Sequence, residues 1–100
     1  MTEQPSTLYA KLLGETAPIS WQELQPFFAR GALLMVGATQ DLIAVAQAVA
    51  ENDQNEVAAW LASDQLKKVD DGDAADLLAR DPALWAVVVA PWVLVQERRS

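Results

Sequence analysis

The stretch Leu84-Trp85-Ala86-Val87-Val88-Val89-Ala90-Pro91-Trp92-Val93-Leu94-Val95 decides the fold class. Five valines and two tryptophans give it the β-branched and aromatic composition of strands. Its 12 apolar residues fall well short of the roughly 20 that a membrane-spanning helix needs. Pro91 has no backbone N–H to give a sheet ladder, so it marks a bend, a bulge or an edge. The stretch therefore reads as two short strand segments, bent at Pro91, rather than one straight strand. Alternation along a strand sends Trp85, Val87 and Val89 to one face and Leu84, Ala86 and Val88 to the other. Both sets are apolar, the mark of a strand covered on both sides.

Working outward, most of the remaining chain carries helix signals. Residues 1–5 read as a disordered start and residues 98–100 as a disordered end, with one domain over residues 6–97. Ser6 caps a first short helix to about Glu15, with Leu8, Leu12 and Tyr9 inward, and Gly14 and Pro18 then punctuate the chain. Ser20-Trp21-Gln22-Glu23 is a capping box, in which the serine side chain takes a free backbone N–H and the glutamate reaches back. Trp21, Leu24 and Phe28 follow at helical spacing, and Gly31 ends the helix. Pro26 inside it predicts a kink or a split. Ala32 to Val36, bounded by Gly31 and Gly37, reads as a buried strand.

Thr39 or Asp41 caps a third helix whose apolar stripe is Leu42, Val45, Ala46, Val49 and Ala50. Asn52 breaks it, and Asp53 with Glu56 spells a second capping box, opening a helix with Val57, Trp60 and Leu61 on one face. That spacing makes Trp60 a core residue and the two helices an antiparallel pair. Leu66 to Val69 is a possible short strand. Asp70 and Asp73 form a third box before a helix to about Arg80, with Leu77 and Leu78 inward. The fold class is α+β: about five short helices on a small sheet of roughly three strands.

Composition narrows function by exclusion. The 100 residues are 52% apolar and carry a net charge of −7, with no cysteine and no histidine. A chain without cysteine has no disulfide framework and no thiolate metal site. Without histidine it lacks the commonest general base at neutral pH. The acidic field repels phosphate backbones, so no nucleic-acid partner is expected, and an acidic balance also serves solubility. No basic, apolar leader opens the sequence, and the expected location is the cytoplasm, with no membrane partner.

Candidate sites dissolve into simpler readings. Asp70-Asp71-Gly72-Asp73 invites comparison with a calcium loop, yet placing Gly72 at position six puts Lys67 and Val69 where ligands belong and Leu78 at position twelve. The run is instead a helix start, where carboxylates meet free N–H groups. Glu23, Asp53, Glu56, Asp70 and Asp73 are read as caps, and no carboxylate sits inside an apolar run that would raise its pKa. Gly31 and Gly37 are not followed by the lysine of a phosphate loop. The serines have no histidine to activate them, and a Ser–Lys pair through Lys67 or Lys68 has no supporting pattern. No cofactor, metal or catalytic residue is assigned. Lys67-Lys68 and Arg98-Arg99 are solvated pairs or contacts for an anionic partner.

Several stretches resemble a bacterial family of uncharacterised proteins, domain of unknown function 2288. They are Ile19-Ser20-Trp21, Glu23-Leu24, Phe27-Phe28-Ala29, Trp60-Leu61 and above all Leu84 to Glu97. The resemblance covers roughly residues 8–97 and brings no activity, ligand or catalytic residue with it. The functional expectation is a non-enzymatic interaction or structural module with an unknown protein partner. The alternative is a binder of a small ligand or divalent cation; an acidic decoy for nucleic-acid-binding proteins rests on charge alone. Trp85, Val88 and Trp92 are the candidate interaction surface. A homo-oligomer is expected because 100 residues leave little material to cover both faces of the sheet; a helix wrapped around Pro26 would instead close a monomer.

Overall fold

The computed structural model describes residues 7–98. In chain order the elements are α1 (Thr7–Glu15), β1 (Ala17–Ile19), α2 (Trp21–Ala29), β2 (Leu33–Val36), α3 (Leu42–Ala50), α4 (Gln54–Ala62), β3 (Leu66–Lys68), α5 (Asp71–Arg80), β4 (Leu84–Val89) and β5 (Trp92–Glu97). The strands form one sheet in the order β1-β4-β5-β2-β3. β2 and β5 run parallel and every other pair antiparallel.

This α+β architecture matches the expected class but corrects its sheet from about three strands to five. β1 escapes the sequence reading because Ala17-Pro18-Ile19 looks like punctuation. It is an edge strand, paired to β4 on one side only (Pro18 opposite Trp85), and an edge is where a strand tolerates proline. The Pro91 bend is also corrected. Val89 pairs with Trp92, so the chain reverses at Ala90-Pro91, through a cis peptide bond, and β4 and β5 form a hairpin.

Alternation then divides the apolar residues between two cores. Leu34, Val36, Leu66, Val87 and Leu94 pack under α1, α3 and α4 with Leu12, Ile43, Val45 and Ala46. Leu33, Leu84, Ala86, Val93 and Val95 pack under α2 and α5 with Trp21, Leu24 and Leu77. Helices of the same chain thus cover both faces. Five strands this short are spanned by three helices on one side and two on the other, which leaves Val88 as the one large apolar side chain of β4 and β5 that is exposed.

Local chemistry sets the helix ends. Ser20 Oγ accepts from the Glu23 N–H at 3.2 Å, and Glu23 Oε1 accepts from the Ser20 N–H at 3.1 Å. Asp70 and Asp73 exchange the same two bonds at 2.8 and 3.1 Å. Asp41, not Thr39, caps α3. The Asp53–Glu56 box is one-way: Asp53 Oδ1 accepts from the Glu56 N–H, but the Asp53 N–H is already spent on the Ala48 carbonyl that closes α3. The Ser6 cap lies outside the described residues. Pro26 does not split α2, which runs unbroken. Gln22 and Pro26, one turn apart, are both exposed, so water can take the carbonyl that proline leaves without a donor. Gly31 adopts φ +71° and lets the Gly31 and Ala32 N–H groups close onto the Phe28 and Phe27 carbonyls, a Schellman end.

Trp21 is buried, whereas Trp60 is only half-buried, at the rim of the core beneath α4. The expectation of a core tryptophan at position 60 is corrected accordingly. Helix α4 contributes no fully buried side chain, so its apolar face lies against the sheet margin rather than its centre.

Arg80 ties the end of α5 to the end of β5. Its guanidinium donates to Glu97 Oε1 and Oε2 at 3.1 and 2.7 Å and to Asp76 Oδ2 at 2.7 Å. These bonds hold both carboxyls below their ordinary range. A carboxyl depressed in the folded state stabilises above its unfolded value and loses that contribution as pH falls through the folded one. Denaturation of the wild type should therefore show stability declining between about pH 5 and pH 3, and Arg80→Met should flatten that slope. Equal slopes would show the pairs to be energetically silent.

Candidate functional site: the end of the β4–β5 hairpin

The structure does not gather Trp85, Val88 and Trp92 on one surface. Trp85 and Trp92 lie on the α1/α3/α4 face but at opposite ends of the hairpin, as the Trp85–Gln96 and Val89–Trp92 pairings require. Val88 points to the other face and is 57% exposed, rare for a large apolar side chain in mid-sheet. Val88 and Trp92 do share the turn end, one on each side of Ala90-Pro91.

Two clefts open there. One, of about 500 Å³, lies between the hairpin turn and the α3–α4 joint, with Val49, Val57, Val89 and Trp92 as apolar walls and Asn52 and Asp53 at its edge. The other, of about 440 Å³, is lined by Phe27, Arg30, Ala32, Val88, Ala90, Pro91 and Val93. Helix α2 brings Phe27 and Arg30 there because its Schellman end turns the chain toward β2. The Arg30 guanidinium sits 4.9 Å from the centre of the Phe27 ring. Neither Phe27 nor Arg30 belonged to the sequence-derived surface; only Val88 pointed to this cleft. On the outer edge of β4 pairing with β1 stops at Ala86, so no described strand runs beside Val87–Val89.

Trp85 belongs to a different groove, with Tyr9, Leu13, Thr16, Gln40, Asp41 and Gln96. Arg98 stacks on its indole, 4.7 Å from the ring centre. Gln96 Nε2 donates to the Gly37 and Gln40 carbonyls at 2.8 and 2.7 Å, which fixes its amide orientation. Gln40 Nε2 is itself buried without a hydrogen-bond partner. The Tyr9 hydroxyl donates to Asp41 Oδ2 at 2.8 Å, and that bond raises the phenol above its ordinary pKa.

The acidic run that invited a cation is committed elsewhere. Lys67 Nζ lies 3.1 Å from Asp73 and 3.9 Å from Asp70, and Asp76 is turned to Arg80. Among the described residues no three His, Cys, Asp or Glu side chains are grouped to hold a metal ion. No helix among them is long and apolar enough to cross a membrane.

Comparison with known proteins adds a family. The family of proteins of unknown function DUF2288 matches residues 7–97, nearly the whole chain. The chain belongs to DUF2288. The solution NMR structure of PA1075 from Pseudomonas aeruginosa is similar over the same fold, with 67% identity and a TM-score of 0.83. The match covers 100% of this chain and 93% of that one. No curated protein matches this DUF2288 chain.

Proposed function

We propose that this protein is a non-enzymatic interaction module of the cytoplasm, working through protein contacts at the turn end of the β4–β5 hairpin. The observation that carries the reading is Val88, 57% exposed beside the Phe27–Pro91 cleft, with Trp92 across the turn. An exposed large apolar side chain lining an apolar cleft is the kind of surface that marks contact sites on soluble proteins. The carboxylates speak against acid–base work. No charged side chain is buried among the described residues, and Asp70, Asp76 and Glu97 are shifted down, whereas a general acid needs its pKa raised. The partner is another protein chain. Self-association, if it supplies that partner, runs through the hairpin end, since the rest of each sheet face is covered by helices.

A second reading has one observation in its favour: the unpartnered Gln40 amide beside the Trp85 groove could serve a small ligand. A thermal-shift screen separates the two, because a ligand that binds only the native state raises the melting temperature. Millimolar calcium or magnesium, and a panel of common metabolites, should leave the midpoint unchanged. A saturable rise of several degrees would favour the ligand reading. For a cation it would also have to vanish in the Asp71→Asn, Asp73→Asn double variant.

A further inference from the structure

The turn-end cleft carries charge of the opposite sign to the rest of the molecule. The chain's net charge is −7, yet the cleft's one charged residue is Arg30. Its Nε makes only a long bond of 3.4 Å to the Pro26 carbonyl, and no carboxylate stands within 4.0 Å of its guanidinium among the described residues. Lys68, at the end of β3, supplies a second cation next to Gly31, the residue after Arg30, just outside the cleft's lining. Its Nζ lies 3.2 Å from the point that a Cβ on Gly31 would occupy, and among the described residues it too forms no ion pair. Lys67 and Arg80 are each paired with two carboxylates, whereas Lys11 and Arg98, like Arg30 and Lys68, form no ion pair among the described residues.

The bland explanation is that both cations serve the carbonyl end of α2. The N–H groups of Arg30, Gly31 and Ala32 already take the carbonyls of Pro26, Phe28 and Phe27, and the Arg30 side chain adds only its long Nε bond to Pro26. Arg30, stacked on Phe27 in the wall of a trough with Val88, Pro91 and Val93, and Lys68 beside Gly31 thus stand without a carboxylate among the described residues.

We propose that this cleft binds a short segment of another protein that carries an aromatic or aliphatic residue flanked by carboxylates. The apolar side chain lies against Phe27 and Val88, and the carboxylates pair with Arg30 and Lys68. Polyanions fit less well, because the field of a −7 chain repels them beyond the reach of two cations. A second copy fits less well too. A two-fold contact centred here would set Arg30 against Arg30 and one acidic molecule against another. This inference rests on the interaction reading above and names the partner's chemistry.

The test uses three capped seven-residue peptides with a central Leu-Phe: one flanked by glutamate, one by glutamine and one by lysine. Each is titrated into the ¹⁵N-labelled full chain at low salt and again at about 0.15 M, where screening acts within about 8 Å. The glutamate peptide should saturate, move the amides of Phe27, Arg30, Val88 and Val93, and bind about tenfold more weakly to Arg30→Gln and to Lys68→Gln. Val88→Thr, which keeps the branched shape, should weaken it as well. Equal binding of all three peptides, or preference for the lysine peptide, overturns the proposal while leaving the cleft an interaction site. Failure of all three peptides, with a partner still captured at position 88 in cells, overturns the acidic partner alone. If that capture fails too, the interaction reading falls with it. Sedimentation equilibrium on the same samples supplies the last outcome: a dimer lost on Arg30→Gln gives the cleft to a second copy and overturns the proposal.

Discussion

Leu94→Ala should cost about 2–5 kcal/mol, a large share of the roughly 5–15 kcal/mol that stabilises a domain. Leu94 is 0% exposed and lies on β5, the middle strand of the sheet. Its neighbours in register are Val87 on β4 and Leu34 on β2, and all three face the core beneath α3. Truncation removes buried area and leaves a cavity that strands paired on both sides cannot collapse to fill. Urea denaturation should show a lower midpoint with an unchanged slope. Leu61→Ala, at an exposed position on α4, should stay within about 0.5 kcal/mol of wild type. Similar losses at both positions would mean that the division between core and surface is wrong.

Gln96 gives the second large effect, through polarity rather than volume. Its amide is the clasp between the end of β5 and the loop that leads into α3, bonding the Gly37 and Gln40 carbonyls. The Gly37 carbonyl keeps a second donor, the Gln40 N–H at 3.0 Å, whereas among the described residues no other donor to the Gln40 carbonyl is seen. Gln96→Leu should therefore cost about 1–3 kcal/mol, the penalty for a part-buried polar group left unmet. Gln96→Glu should cost more at pH 7, because a carboxylate then faces two carbonyl oxygens. Those oxygens raise the folded pKa of the new acid above its unfolded value near 4.3. Its stability should accordingly recover as pH falls toward that value, opposite in sign to the Arg80 pairs. Full stability of Gln96→Leu would show that water replaces the amide.

What could be read from the sequence was local. The Ser20–Glu23 and Asp70–Asp73 boxes are patterns of one helical turn, and both form as spelled. The alternation from Leu84 to Val89 placed each side chain on its correct face, since a strand's period does not depend on its neighbours. Errors arose wherever a distant partner decides. Ala17-Pro18-Ile19 becomes a strand only because β4 offers it an edge, and Pro91 becomes a turn only because β5 returns to pair with β4. The Asp53–Glu56 box fails because the Asp53 N–H is claimed by the end of α3. The site was legible in the same partial way. Val88 and Trp92 stood in the right stretch, but Arg30 and Phe27 lie some sixty residues earlier, and no local pattern brings them to Val88. Trp85 shared their composition and not their place.

The central claim is that the protein meets its partner at the hairpin end. Site-specific photo-crosslinking in bacterial cells tests it most directly, with p-benzoylphenylalanine placed at position 88 or at position 78. Leu78 is the matched control, because, contrary to its expected inward position, it is 64% exposed on α5, outside the lining of either hairpin cleft. The account predicts a discrete adduct from position 88 that Arg30→Gln weakens, and none from position 78. Adducts of equal yield from both positions, or from position 78 alone, would contradict it.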